Sequence, residues 1–147
     1  MLDIKIKEFK ELDIQELYKV LQLRSEIFVV EQDCVYQDID GKDDRALHVI
    51  GLNDNEVVAY TRIFKSGIYF DMASIGRVAV HKQHRKFGYG KVIMEASIKA
   101  VEDRFSENEI KISAQKYLTK FYTDLGFNAT GEEYLEDGIP HIAMIKK

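Results

Sequence analysis

The stretch that decides the fold reads Ile75-Gly-Arg-Val-Ala-Val80 and, after four intervening residues, Arg85-Lys-Phe-Gly-Tyr-Gly90. The first half has the apolar, β-branched content of a buried strand, and the second half leads into a helical pattern from Val92 to Val101. A strand that feeds a glycine turn and a helix N-terminus presents backbone N–H groups and partial positive charge to an anion. The segment therefore predicts either a phosphate-binding loop or a plain strand–turn–helix joint.

Two common nucleotide motifs do not fit this segment. A Walker A loop needs Ser or Thr after its Gly-Lys pair, whereas Val92 follows Gly90-Lys91. A dinucleotide fingerprint needs a third glycine and an acidic residue about 20 positions further on. The chain has two glycines here, and at 147 residues it is too short for a full dinucleotide domain.

Outward from this segment, the hydrophobic pattern predicts the order β-α-β-β-β-α-β-α-β-β. This order is typical of a mixed α/β domain with an antiparallel start and at least one crossover helix. Asp13 with Glu16 predicts a helix start, and Asn53-Asp54-Asn55 and Asp137-Gly138 predict hairpin turns. The predicted strands cover Leu2–Lys7, Leu47–Leu52, Val57–Phe64, Ile75–Val80, Ile110–Ala114, a segment from Phe127 onward and Ile139–Ile145, and the last helix covers Tyr117–Leu125.

The composition describes an ordinary globular protein, 46% hydrophobic and 31% charged, and one domain over residues 1–147 is predicted. The net charge of -4 argues against a nucleic-acid partner and favours a cationic one, such as an amine. Cys34 is the single cysteine, which excludes an internal disulfide, and no apolar run reaches the length of about 18 residues that spans a membrane. We expect a cytoplasmic protein with no membrane partner.

Two segments superficially suggest a metal site. An EF-hand loop beginning at Asp38 would need its bidentate glutamate where Val49 stands. His81 and His84 have no third ligand nearby in the sequence. We predict no metal, and we predict that residues 31–46 form an acidic, solvated loop near an acceptor entrance.

Two motifs together resemble a known family. Arg85-x-x-Gly88-x-Gly90 after an apolar strand is similar to the acetyl-CoA motif of the GNAT N-acetyltransferase superfamily, and Tyr122, four residues before Gly126-Phe127, is similar to the second signature of that superfamily. The segment Glu136-Asp-Gly-Ile-Pro-His141 also resembles the ElaA-like branch. The resemblance covers nearly the whole chain. It implies a three-layer mixed α/β fold, with a mostly antiparallel central sheet, one splayed parallel strand pair and flanking helices.

The resemblance also implies acetyl-CoA as cosubstrate. The pantetheine arm would lie between Ile75–Val80 and Ile110–Ala114, with Gln115 where many members have a cofactor-contacting Asn. The backbones of Val78 and Val80 would hold the arm. The residues implied for the pyrophosphate are Arg85, Lys86, Phe87, Gly88, Tyr89, Gly90 and Lys91.

The implied chemistry is direct attack of a neutral amine on the thioester. Tyr122 is the predicted general acid, with a core aromatic as its alternative role. The glutamate that several members use as base is replaced by Ser74 and Ile75. The residues that remain as base or acceptor-site candidates are Arg24, Glu31, His48, Asp137 and His141.

Each of these candidates also has a plain structural interpretation, such as a helix-end charge or a packed histidine. The alternative function is a non-catalytic acyl-CoA-binding module that keeps the pocket without turnover. The acceptor, described as a small molecule or a protein amino group, is not identified by the sequence. The sequence does not decide whether the last two strands form a homodimer interface.

Overall fold

Seven strands and three α-helices follow one another in the predicted order along residues 1–147 of the computed structural model. The strands are β1 (Asp3–Glu8), β2 (Leu47–Asn53), β3 (Glu56–Phe64), β4 (Ala73–Val80), β5 (Ile110–Gln115), β6 (Asn128–Glu136) and β7 (Ile139–Lys146). The helices are α1 (Ile14–Arg24), α2 (Tyr89–Phe105) and α3 (Thr119–Asp124), and the π-helical segment Ser25–Glu31 continues α1. Short 3-10 turns cover Phe9–Glu11, Asp43–Arg45, Lys82–Phe87 and Lys116–Leu118.

The strands form one sheet in the order β1-β2-β3-β4-β5-β7-β6. Every neighbouring pair is antiparallel except β4 and β5, which are parallel because α2 connects them as a crossover. These two strands pair only at Ala73 with Ile110 and at Ser74 with Lys111, and no register partners follow. The mixed α/β fold with a splayed parallel pair is therefore confirmed.

The two faces of the sheet pack against different helices. Strand β3 shows this directly, because side chains alternate across a pleated strand. Ala59 and Ile63 belong to the larger hydrophobic cluster, which includes Ile93 of α2, whereas Tyr60 packs with Val20 of α1. The sheet is therefore the middle of three layers, and a fully buried aliphatic side chain in either cluster contributes about 1.5–3 kcal/mol.

Local sequence signals account for the helix start and the hairpins. The Asp13 carboxylate accepts a hydrogen bond from the Glu16 N–H at 2.7 Å, and the Asp13 N–H donates to the Glu16 carboxylate at 3.0 Å, which is a reciprocal capping box. Asp54 and Asn55 have φ of 50° and 64° in the β2–β3 turn. Two successive positive φ values are typical of the hairpin turn whose twist matches its strands.

The prediction of a solvated acidic loop over residues 31–46 is wrong for its central aspartates. Asp38 and Asp43 are buried. The reason is a charge cluster that the loop forms with arginines from α1, β3 and β4, which supply the counter-charges that a buried carboxylate requires. This Arg–Asp cluster consists of Arg24, Arg62, Arg77, Asp38, Asp40 and Asp43.

The cluster is closely hydrogen-bonded. Arg24 donates to Asp38 at 3.0 Å and to Asp43 at 2.8 Å, and Arg62 donates to both Asp40 carboxylate oxygens at 2.8 and 2.9 Å. Burial raises the pKa of the Asp40 carboxyl, but the hydrogen bonds and charge of Arg62 outweigh it and lower that pKa to about 2. The pKa of Asp43 is lowered in the same way, against its burial, by Arg24 and Arg62.

We expect the cluster to make folding stability sensitive to acid. A carboxyl whose folded pKa is depressed stabilises the fold fully above its unfolded pKa of about 4, and this contribution is lost as the pH falls toward 2. Asp40→Asn should lower the free energy of unfolding at pH 7 by roughly 1–2 kcal/mol and flatten its decline between pH 5 and 2.5. Urea unfolding across that range measures both effects.

Asp44→Asn is the matched control, because Asp44 is exposed and its carboxylate lies 3.9 Å from Arg45. Its unfolding curve should follow the wild type at every pH. An Asp40→Asn protein with the wild-type acid slope would contradict the assignment.

Candidate active site

A cavity of about 510 Å³ lies where β4 and β5 separate. Its walls come from both strands, from α3, from the turn before α2 and from the π-helical segment Ser25–Glu31. Strands that stop pairing leave backbone N–H and C=O groups along their facing edges, and an extended ligand can pair with such edges as an added strand does. The cavity is therefore suited to a long, partly polar ligand.

A β-bulge in β4 shapes the middle of this cavity. The register with β3 passes from Gly76 opposite Arg62 to Ala79 opposite Tyr60, so that Arg77 and Val78 together face one residue of β3. Arg77 has φ of 50°, a left-handed conformation that costs a non-glycine residue about 1–3 kcal/mol. Arg77 and Val78 both line the cavity.

The Arg–Asp cluster holds the bulge. The Arg77 guanidinium lies 2.7 Å from the Asp38 carboxylate through Nε, and it donates to the Asp38 carbonyl oxygen at 3.2 Å. It also lies over the Tyr36 ring, 5.5 Å from its centre. These contacts offset the backbone strain at Arg77.

The glycine turn leaves its backbone open to an approaching ligand. Gly88 has φ of 74°, and a side chain placed on it would meet no atom within 4 Å, so ligand atoms have room to approach the backbone. Helix α2 begins at Tyr89, and its first N–H groups have no partner within the helix. Gly88, Gly90 and Lys91 line the cavity together with Val78 and Val80.

Three residues of the predicted pyrophosphate loop lie outside the cavity lining. The Lys86 ammonium lies 5.3 Å from the centre of the Phe87 ring, and both side chains are exposed. The Tyr89 ring is buried, and its hydroxyl accepts a hydrogen bond from Asn53 at 2.9 Å. These three side chains do not contribute to the cavity wall, and only their backbones remain candidates for ligand contact.

Arg85 and Glu31, which the sequence assigned to different halves of the site, contact each other. Two guanidinium nitrogens of Arg85 donate to the two Glu31 carboxylate oxygens at 2.6 and 2.8 Å, and Arg85 Nε donates to the Val80 carbonyl at 3.0 Å. The hydrogen bonds from Arg85 lower the pKa of Glu31 against a smaller opposing effect of burial. A carboxylate with a lowered pKa is a weaker base.

Tyr122 lies on α3 and combines two features that the sequence presented as alternatives. Its ring belongs to the larger hydrophobic cluster, with edge contacts to Phe121 and Phe127 at centroid distances of 5.0 and 6.1 Å. The side chain also lines the cavity. Burial raises the pKa of the Tyr122 hydroxyl, so the hydroxyl keeps its proton at neutral pH.

The β6–β7 hairpin also contributes to the cavity wall. Asp137 and His141 line it, together with Glu136. His141 Nδ1 lies 2.7 Å from the Ile139 carbonyl oxygen and must donate to it, which leaves the lone pair on Nε2. That nitrogen lies 3.5 Å from a Glu136 carboxylate oxygen. Across the cavity, Gln115 donates to the Gln32 side chain at 3.3 Å.

Two acceptor-site candidates are not brought to the cavity wall. Arg24 is fully buried in the Arg–Asp cluster. His48 Nε2 donates to the Asp43 carbonyl at 2.9 Å and its Nδ1 accepts from the Tyr60 hydroxyl at 2.6 Å. Burial lowers the pKa of His48, so its ring is neutral and both its nitrogens are occupied. Arg24 and His48 therefore stabilise the loop that contains Asp38 and Asp43.

Several cavity residues were not recognised in the sequence. A charged residue inside an apolar strand was the available signal for Arg62, because such a residue requires a buried partner. The aromatic residues near the β3–β4 turn gave no periodic pattern. The unrecognised lining residues include Arg62, Phe64, Tyr69, Phe70, Ser74 and Ser113.

The protein has neither a metal-binding cluster nor a membrane-spanning helix. No three His, Cys, Asp or Glu side chains are grouped so that they could bind a metal ion. None of the helices has the length and apolar content needed to cross a bilayer.

A sheet with one splayed parallel pair, a bulged strand beside the split and a glycine turn before a helix together define the GNAT class of acyltransferase fold. The sequence profile of the acetyltransferase (GNAT) domain matches residues 10–147. The chain belongs to the GNAT acetyltransferase family, and within that family it is an ElaA-like member.

The relatives support this assignment along the whole chain. Protein ElaA of Escherichia coli K12 is 40% identical over 139 residues, which cover 93% of this chain and 91% of ElaA. The crystal structure of E. coli ElaA superposes with a TM-score of 0.92, at 38% identity and full coverage of both chains. A structure described as an acyl-CoA N-acyltransferase from Pseudomonas aeruginosa matches with a TM-score of 0.93 at 38% identity, again with full coverage of both chains.

Proposed function

We propose that this chain is a single-domain, acetyl-CoA-dependent N-acetyltransferase that transfers an acetyl group to a primary amine by direct attack. The observation that carries the proposal is the cavity between the splayed strands, whose lining includes both a glycine turn and a histidine–carboxylate pair. The glycine turn is suited to phosphates and the histidine–carboxylate pair to an amine. The bulge and Tyr122 line the same cavity.

For the cofactor half, the edge of β4 at Val78 and Val80 has no partner on β5 and is suited to pair with the amides of an extended pantetheine arm, and the Val80 carbonyl already accepts a hydrogen bond from Arg85. The N–H groups that follow Gly88 are suited to the pyrophosphate, because the N-terminus of α2 adds partial positive charge. Lys91 adds a formal charge at the cavity wall. We assign Arg85 a positioning role, because its guanidinium is already paired with Glu31.

Gly88→Val tests the cofactor site. A valine side chain would occupy the space through which the pyrophosphate must approach the backbone. Acetyl-CoA affinity measured by calorimetry should fall at least tenfold, which corresponds to about 1.4 kcal/mol. Equal affinity in the wild type and the variant would contradict the phosphate-loop assignment.

Gly131→Val is the matched control for backbone strain. Gly131 also has a positive φ, 92°, a Cβ added to it would meet no atom within 4 Å, and it lies on exposed β6 outside the cavity. Both variants should lose a similar amount of thermal stability, roughly 1–2 kcal/mol each, because both force a β-branched residue into the left-handed region. Only the Gly88 variant should lose affinity.

The bound thioester supplies the acyl carbon that an amine attacks. At the bulge, the Val78 N–H is the candidate donor for the oxyanion that develops on the thioester oxygen. As the C–S bond breaks, Tyr122 donates its hydroxyl proton to the departing sulfur, and the proton that the acylated nitrogen loses after attack restores the Tyr122 hydroxyl. Burial keeps Tyr122 protonated, which is the state that a general acid requires before the reaction.

The general base is assigned to His141. Its Nδ1–H is committed to the Ile139 carbonyl, so Nε2 is the nitrogen that accepts a proton, and Glu136 faces that nitrogen. Among the other candidates, Glu31 is paired with Arg85, and His48 lies outside the cavity lining. Asp137 lines the cavity and remains an acceptor contact.

Tyr122→Phe tests the acid. The ring and its packing are kept, so the thermal midpoint and acetyl-CoA affinity should stay near the wild-type values. The turnover number should fall roughly 10²–10³-fold, the lower part of the usual range, because a thiolate with a reference pKa of about 8.5 is a tolerable leaving group. Steady-state kinetics on a working acceptor measures the change.

Tyr117→Phe is the comparison variant, because Tyr117 also lines the cavity but is exposed. A loss of turnover in this variant, with Tyr122→Phe within about threefold of the wild type, would transfer the acid role to Tyr117. Acetyl-CoA binding without acetylation of any polyamine, amino acid, aminoglycoside or peptide would favour the non-catalytic binding module. The homodimer and the cytoplasmic location stay predictions. A measurement of the molar mass in solution tests the homodimer.

A further inference from the structure

Two buried polar atoms in the cavity wall have neither a hydrogen-bond partner nor an ion-pair contact within the protein. They are Nε of Arg62 and Oγ of Ser74, on residues that are 1% and 2% exposed. A buried polar group without a partner is unfavourable, because its lost hydrogen bonds to water are not replaced. Neither atom has a role in the mechanism above. A ligand group that forms hydrogen bonds with both atoms would replace the hydrogen bonds that they lack.

The two atoms belong to one small pocket. Arg62 of β3 pairs with Gly76 of β4, and Phe64 pairs with Ser74, so Arg62, Ser74 and Gly76 present the same face of the sheet. A side chain added at Gly76 would meet no atom within 4 Å. The space above Gly76 is therefore open, and it adjoins the two residues that carry the unpartnered atoms.

We propose that this Arg62–Gly76–Ser74 pocket binds the carbonyl oxygen of a neutral amide carried by the acceptor amine. The proposal rests on the proposed function and names its substrate class, an amino amide. A carbonyl oxygen has two lone pairs, and these match the Arg62 Nε–H and the Ser74 hydroxyl as two donors.

The balanced charge around Arg62 favours a neutral amide over a carboxylate as the bound group. The remaining Arg62 nitrogens donate to Asp40 at 2.8 and 2.9 Å and to Asp43 at 3.0 Å, so the arginine charge is already compensated. The Arg–Asp cluster as a whole holds three arginines and three aspartates. A carboxylate would add a further buried negative charge without a counter-charge, which is far costlier than burying a hydrogen-bonded neutral oxygen.

The spacing along β4 sets the length of the acceptor. Gly76 lies two residues from Val78, where the thioester carbonyl is placed, and because Arg77 lies in the bulge their separation is at most the about 7 Å of two regular strand residues. Three aromatic rings line the cavity, those of Phe64, Tyr69 and Phe70. The ring centres of Phe64 and Tyr69 are 5.2 Å apart, and those of Tyr69 and Phe70 are 4.8 Å apart. This apolar wall fits the methylenes of an alkyl chain, about five of which span the distance.

Three amines of equal chain length test the proposal: 6-aminohexanamide, hexylamine and 6-aminohexanoate. The readout is the ratio of kcat/KM between two acceptors, which cancels effects on acetyl-CoA. The wild type should prefer the amide to hexylamine about 10- to 100-fold, and it should prefer the amide to the carboxylate as well. A ratio within about twofold, or a preference for the carboxylate, would overturn the proposal.

Ser74→Ala removes one donor, and Gly76→Ala places a methyl group in the pocket without a steric clash. The amide-to-hexylamine ratio should fall several-fold in the first variant and approach one in the second. Ser66→Ala is the control, because Ser66 lies outside the cavity lining, and it should keep the wild-type ratio. Wild-type ratios in both pocket variants would also overturn the proposal.

Failure of the proposed function is a separate outcome. If no amine is acetylated, calorimetry on the acetyl-CoA complex still compares 6-aminohexanamide with hexylamine. Tighter binding of the amide by the wild type, lost in Gly76→Ala, supports the pocket without catalysis. Equal binding of the two amines overturns it.

Discussion

The site depends on the charge compensation inside the Arg–Asp cluster. Three aspartates from one loop meet three arginines from α1, β3 and β4, with nitrogen–oxygen distances from 2.7 to 3.5 Å. Removal of one partner from a fully buried ion pair, such as Arg24 with Asp38, leaves an uncompensated charge and costs about 3–5 kcal/mol. The cluster therefore fixes the loop, the two strands and the end of α1 in one arrangement.

The bulge in β4 is the functional consequence of this arrangement. Arg77 occupies a strained backbone conformation, and Asp38 holds its side chain. Without that contact the strand could relax toward regular pairing with β3, and Val78 would return to the ladder. The charges beneath the cavity thus position the backbone that is assigned to the oxyanion, although Arg77 has no assigned contact with the reacting atoms.

Signals that are local in sequence predicted most of the fold and part of the cavity lining. Gly88, Asp54-Asn55 and the Asp13 capping box each specify a conformation within a few residues, and the structure has all three. Contacts between distant residues were not predictable in this way. Arg24 and Asp43 are 19 positions apart, and Arg85 and Glu31 are 54 apart, so no local pattern pairs them.

The same contacts explain which sequence-based assignments changed. Arg24 and His48 are ionisable and adjoin apolar runs, a pattern shared by catalytic residues and by buried structural ones. What separates the two cases is whether the polar atoms already have partners. Both nitrogens of His48 are occupied, whereas His141 keeps one free lone pair beside Glu136.

The distribution of carboxylates suggests how an amine enters. Glu31, Asp38, Asp40 and Asp43 are all paired with arginines, so the carboxylates at the cavity without an arginine partner are Glu136 and Asp137, both exposed on the β6–β7 hairpin. An ammonium ion is attracted to that end by its charge. Under the proposed function it gives its proton to His141 there and continues as a neutral amine. The interior, whose buried charges are balanced, then receives a neutral nucleophile, which avoids the cost of burying an unpaired cation.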